Sequence, residues 1–294
     1  MRVLPACILL LAAALAAPAQ STGPGKPEEG PAFQVVPELE AGFRLLYEQK
    51  FPEARETFLD WENRHPGEPF GHIAVAASYL FEEFYRQGVL SSDFFLNDKR
   101  FLHGIAGKPD PGRMLGFRRS RDRAMVISRE RLRADPLDTE ALFALSLAAG
   151  MQADALSILE KKQLDSLRQI KEADAEAKRL LARRLDTADA FLALGAANYI
   201  IGCLPGTTRF FLWFGGVHGD RKLGMEQLGK AAQNGRYLRP FAKILLALAA
   251  RREKQDELAR RLLRELTEEF PSSPLFAAEY ASARGLKLPA EQAR

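Results

Sequence analysis

Four histidines, His65, His72, His103 and His218, are the side chains best suited to carry a proton or bind a metal near neutral pH. Their spacing favours neither role. No two form a His-x-x-x-His or His-Glu-x-x-His pair, so one helix face cannot offer zinc two ligands. His65 falls at the end of one expected helix, where a cation suits the helix dipole, and His72 opens the next. The carboxylate pairs Asp60–Glu62 and Glu82–Glu83 could in principle do acid–base work, but such pairs are common on charged helices and read as solvated faces. There is no Gly-x-Ser-x-Gly elbow, Walker loop or Cys-x-x-Cys. Gly215–Gly216–Val217–His218–Gly219 is glycine-rich, yet it follows aromatics instead of a strand, which argues against a phosphate cradle. Cys203 stands among Ile200, Ile201, Gly202 and Leu204, the setting of a buried structural thiol. No nucleophile, base and metal set converges. The expectation is a protein that is not an enzyme, with no cofactor and no metal.

The elements around these residues follow one grammar. Gly42, Leu45, Ala54, Phe58, Trp61 and Pro66 fall at offsets 0, 3, 12, 16, 19 and 24. These are the small, bulky and helix-stopping positions of a tetratricopeptide unit, an antiparallel helix pair of about 34 residues. Small residues let two helices approach, large ones fill the space to the next pair, and proline ends the second helix. The register returns at Ala247, Ala250, Ala259, Leu263, Leu266 and Pro271. The fold class expected is all-α, a tetratricopeptide-like right-handed α-solenoid of about eleven helices with two hydrophobic insertions and no strand.

Along the chain, residues 1–19 have the parts of a secretory signal: Arg2, an apolar run over Val3–Ala17, and Ala17–Pro18–Ala19 before Gln20. Export to the periplasm or envelope is expected. Cys7 precedes most of the apolar run, which argues against lipidation. With that segment removed, Cys203 is the one cysteine remaining, so stability must come from packing without a disulfide. Residues 20–35 read as a disordered Pro/Gly/Glu linker, 36–285 as the repeat domain and 286–294 as a flexible tail. Helices are expected at about 37–49, 52–65, 69–87, 113–134, 138–162 (weakest at Gly150), 163–185, 187–203, 219–234, 237–252, 255–269 and 273–284. The helix at 187–203 has Asn198 as its one strongly polar residue from Ala190 onward and should be buried nearly all round. The 42 basic and 38 acidic residues interleave along these helices, so a sequence pI near 9 does not by itself imply a nucleic-acid partner.

Two segments break the rhythm. Residues 89–112 hold Phe94, Phe95, Phe101 and Leu102, too many large apolar groups for a free loop, and should pack back on the helices. Residues 204–219 contain Arg209–Phe210–Phe211–Leu212–Trp213–Phe214. That run suits a short helix plugged into the concave side. Its alternative is a membrane or partner contact through Arg209, Phe210, Phe211, Trp213 and Phe214, flanked by Arg221 and Lys222 and too short to span a bilayer. First helices of stacked pairs line the concave groove, which places Arg44, Tyr47, Tyr79, Tyr199 and Lys243 as groove residues for a protein or peptide partner. Packing between repeats is the competing role for Tyr79 and Tyr199.

Residues 187–241 carry a more specific pattern: Ala190–Phe191–Leu192–Ala193–Leu194–Gly195, Asn198–Tyr199–Ile200–Ile201–Gly202, Leu204–Pro205, Phe214–Gly215–Gly216–Val217–His218–Gly219–Asp220–Arg221, then Gly224, Leu228, Ala231–Ala232 and Gly235–Arg236–Tyr237–Leu238–Arg239. It resembles a family of exported bacterial tetratricopeptide-repeat proteins. More distantly it resembles the eukaryotic tetratricopeptide-repeat family that includes the yeast inclusion-body-clearance protein. The resemblance implies a non-enzymatic scaffold or adaptor and no catalytic residue set.

Overall fold

The computed structural model describes residues 36–97, 100, 104–183, 187–204, 206, 209 and 218–286. The expected signal segment, linker and C-terminal tail lie outside them, apart from Leu286. Among the described residues the chain is all-helical, with twelve α-helices and no strand: α1 Pro37–Tyr47, α2 Phe51–Arg64, α3 Pro69–Arg86, α4 Ser92–Leu96, α5 Pro111–Ala134, α6 Thr139–Asp154, α7 Gln163–Arg183, α8 Phe191–Cys203, α9 Arg221–Asn234, α10 Arg239–Arg252, α11 Asp256–Glu269 and α12 Pro274–Ala283. The twelfth, beyond the eleven expected, is α4. It lies inside the first insertion, whose Phe94 is buried against the helices as its apolar content requires.

Local chemistry sets the ends. Asp110, Asp138 and Asp220 cap α5, α6 and α9 by accepting from the amides of Arg113 (2.8 Å), Ala141 (2.9 Å) and Leu223 (3.0 Å). The chain turns through left-handed backbone at Gln49, Gly88 and Lys254 after α1, α3 and α10. Gly150 does not interrupt α6. The irregularity comes one turn later, as a π turn over Ala155–Leu159, and Lys161 at φ +58° ends it. Thr139–Leu159 is long and apolar enough to cross a membrane by length and composition, and most of it is buried inside the fold.

Most helices pack chiefly on the helix before or after them, but α5 packs most closely on α3, and α4 on α10. Glycines set the closest approaches. A methyl on Gly71 would stand 2.6 Å from the Trp61 ring. One on Gly195 would stand 2.7 Å from Leu228 N, and one on Gly224 2.6 Å from Tyr199 N, so the backbones of α8 and α9 touch. No described residue of 187–203 is exposed.

The two ends of the array also meet. Phe43 of α1 packs on Tyr237 before α10 (centroids 5.3 Å), Tyr47 on Phe270 after α11 (5.4 Å), and Phe70 of α3 on both Phe143 and Tyr237. Gln49 Oε1 accepts from Ser273 Oγ at 2.8 Å. Segment α4 bridges similarly: Ser92 N donates to Glu279, and Arg252 Nη1 donates to Phe95 O at 2.6 Å. A linear stack would confine contacts to neighbours. Here one core cluster holds buried residues of both α1 and α12, while two smaller clusters form around α4 and α5.

Candidate functional site

Most residues expected to face a partner are engaged within the fold. Tyr47 is buried, and its hydroxyl donates to Tyr237 O at 2.9 Å. Burial and the nearby Asp189 carboxylate hold that phenol above its ordinary range. Tyr79 of α3 packs on Gly116 of α5, where an added methyl would stand 2.6 Å from its ring, and the Arg55 guanidinium lies 3.9 Å from the ring centre. Tyr199 is buried and its hydroxyl stands 3.3 Å from both Ala249 O and Glu253 Oε1; burial raises its phenol too. Arg44 is exposed but donates to Glu269 O at 3.0 Å, stabilising the carbonyl end of α11. Lys243 reaches Glu265 at 3.0 Å and Glu269 at 3.5 Å. Arg44 and Lys243 therefore converge on one residue, Glu269.

Of the second insertion, Arg209 is described: it is exposed and donates to Gly202 O at 3.0 Å. Phe210, Phe211, Trp213 and Phe214 lie outside the described residues.

Arg209 and Lys243 share one feature. Both line an open cleft across α9, α10 and α11 with a volume of about 950 Å³. Met225, Leu246, Leu258 and Leu262 supply its apolar surface. Glu253 on its wall is tied to Arg221 at 3.0 Å and to Tyr199, so the buried tyrosine fixes a cleft carboxylate instead of facing the cleft. Lys222, Glu226 and Arg261 on the rim are exposed and make no ion pair among the described residues. A methyl on Gly229 would meet nothing within 4 Å, so the glycine leaves open space above α9. Volume, apolar lining and unpaired rim charges together suit a ligand with both apolar and charged groups.

Assigning the groove to first helices missed Met225, Leu258 and Glu265. Their signal was present: Met225–Gly229–Ala232 and Leu258–Leu262–Glu265 recur at helical spacing on faces that flank α10.

Other chemistry-bearing groups serve the fold. His72 Nδ1 is 3.0 Å from Glu62 and its Nε2 3.5 Å from Pro66 O, so both ring nitrogens face partners. Arg131 binds Glu68, Asp138 and Glu140 at 2.7–2.8 Å and pins the start of α6. Asp189, before α8, accepts from the amides of Arg236 (2.8 Å) and Leu238 (3.3 Å); burial pushes its carboxyl up to about 6 while those amides pull the other way. Cys203 is half-buried, and burial raises its thiol. Among the described residues no three His, Cys, Asp or Glu side chains group as metal ligands. In comparisons with protein-family models, curated proteins and solved structures, the chain matches none.

Proposed function

We propose that the chain is a non-enzymatic adaptor, a tetratricopeptide-like right-handed α-solenoid exported to the periplasm or envelope, that holds a segment of a partner protein in the α9–α11 cleft. The cleft carries this reading: about 950 Å³, open to solvent, apolar within and charged at the rim. An extended peptide meets such a surface with alternating side chains, its apolar groups on Met225 and Leu258 and its charges on Lys222, Glu226 and Arg261. The packing of Phe58 on Gly42, and of Trp61 on Gly71, supports the repeat register, because small and large positions meet as helix pairs require. The N-terminal apolar run with its small-x-small site supports export.

The test is selection of peptides from a displayed random library on the wild-type protein, followed by binding measurements on Gly229→Trp. Tryptophan there enters open space, so the fold should be intact while the cleft is filled. Selected peptides should lose at least about tenfold in affinity for the variant, the scale of one displaced anchor side chain. Equal binding by both proteins rejects the cleft as the site.

A further inference from the structure

Helix α5 concentrates charge that the chain as a whole does not show. Its 24 residues hold eight arginines against Asp122 and Glu130. The complete chain has 42 basic and 38 acidic residues, so removing those of α5 leaves 34 basic against 36 acidic. The molecule outside α5 is close to neutral, and the excess sits on one helix.

The arginines divide by what they touch. Arg113 donates to the fully buried Glu83 at 2.6 Å, and Arg131 holds its three carboxylates, so both belong to the fold. Arg121 pairs with Asp122 at 2.6 Å, while Arg118 and Arg129 stand 3.7 and 3.8 Å from Glu160 and Glu172. Arg119, Arg123 and Arg133 are exposed and make no ion pair or hydrogen bond among the described residues. They span about 21 Å at 1.5 Å per residue; Arg119 and Arg123, four apart, lie within a Debye length at physiological salt, about 8 Å, and Arg133 stands about 15 Å further along. Packing gives no account of them.

Two apolar side chains share that face. Leu115 is 56% and Val126 45% exposed, opposite the buried Met114, Phe117, Ala124 and Ile127. Eleven residues, about three turns, separate them, which puts them on one line along the helix. The charge would suit any polyanion, but the composition of the face discriminates. Arginines can serve either surface, but a single-strand surface sets aromatic rings among them to stack on bases, whereas exposed aliphatic tips have no use on a phosphate backbone. Residues 111–134 contain no Asn, Gln, Tyr or Trp, and their one ring, Phe117, is fully buried. Guanidinium groups that fork onto phosphates, with aliphatic tips between them, match the headgroup layer of a bilayer.

We propose that the exposed face of α5 docks on an anionic phospholipid bilayer, with Arg119, Arg123 and Arg133 on headgroup phosphates and Leu115 and Val126 seated between headgroups. None of these residues lines the α9–α11 cleft. The docking therefore does not rest on the adaptor reading.

The test is co-sedimentation of the full chain with vesicles of phosphatidylcholine alone and of phosphatidylcholine mixed with phosphatidylglycerol. The N-terminal apolar segment with Arg2 is common to the wild type and every variant, so comparing their ratios of the two partition coefficients cancels its contribution. The wild type should favour anionic vesicles and lose the preference at high salt. Arg119→Glu/Arg123→Glu/Arg133→Glu should lower the ratio by about tenfold or more, since each cation near an anionic surface counts appreciably. The corresponding triple lysine variant should keep most of it, and Leu115→Ser/Val126→Ser should weaken anionic binding while leaving the melting temperature unchanged. A wild-type ratio near one, or an unchanged ratio in the triple glutamate variant, overturns the proposal. Arginine-dependent binding to heparin or duplex DNA, with vesicle binding indifferent to Leu115 and Val126, overturns it in favour of a soluble polyanion.

Discussion

The Phe58 ring lies against the α-carbon of Gly42, so closely that a methyl built on Gly42 would stand 2.7 Å from Phe58 Cδ1. Both residues are buried, and no rotation of the ring inside a packed core clears that space cheaply. Gly42→Ala should therefore destabilise the protein by about 1–3 kcal/mol through overpacking. Gly150→Ala is the matched control. Its added methyl meets nothing within 4 Å inside α6, so replacing a helical glycine should stabilise by about 0.5–1 kcal/mol. Thermal melts of the two variants should move in opposite directions; matching shifts would reject the packing account.

Closure of the array rests partly on Tyr47. Tyr47→Phe removes the donor to Tyr237 O, leaves a buried carbonyl without it, and should cost about 1–2 kcal/mol. Hydrogen exchange should then rise in α1 and in the 235–239 turn together, because that bond joins segments 190 residues apart. Exchange that rises in α1 alone would mean the ends are not coupled.

Asp189 gives a pH signature. Its carboxyl is raised to about 6 in the folded protein from an ordinary 3.8, because it is buried. The native state then binds more protons than the unfolded state between about pH 4 and pH 6, so this group's contribution to stability is present below that window and lost as pH rises through it. Asp189→Asn keeps an oxygen for the amides of Arg236 and Leu238 and carries no charge. Its melting temperature relative to wild type should climb from pH 4 to pH 7. Asp189→Ala should be less stable at every pH, by about 1–3 kcal/mol, because buried amides lose their acceptor. A pH-independent difference between wild type and the asparagine variant would contradict this.

Glu83 is fully buried and takes Arg113 Nε at 2.6 Å, Gln87 Nε2 at 2.8 Å and the Asp110 amide at 3.2 Å. Burial alone would raise its carboxyl, but these donors hold it below the ordinary range. Glu83→Ala should cost about 3–5 kcal/mol by leaving Arg113 without its buried partner. The Glu83→Ala/Arg113→Ala double variant should cost well below the sum of the single changes. Strict additivity in denaturant melts would mean the pair is not coupled.

The helical order was legible because period and punctuation are local. Pro37, Pro52, Pro69, Pro111, Pro240 and Pro274 each stand at the first or second position of a helix, and the spacing of Gly42 and Phe58 placed the first pair. Partner-facing residues were less legible. Tyr47 looks like an exposed aromatic in a repeat register, yet the meeting of α1 with the segments beside α10 and α11 buries it. That is a contact between distant segments, which no local spacing encodes; Tyr199 is buried by the neighbouring α9, the packing role the sequence offered beside ligand contact. The charge on α5 was visible as composition, but averaging over the chain hid it, and only burial separates Arg119, Arg123 and Arg133 from the arginines that serve the fold.

The central claim is that the α9–α11 cleft holds a partner segment. The most direct measurement is hydrogen–deuterium exchange with and without a peptide selected on the wild-type protein. The expected result is slowed exchange confined to Arg221–Asn234, Arg239–Arg252 and Asp256–Glu269, absent in Gly229→Trp. Protection that falls instead on α1–α3, or that survives in Gly229→Trp, would contradict it.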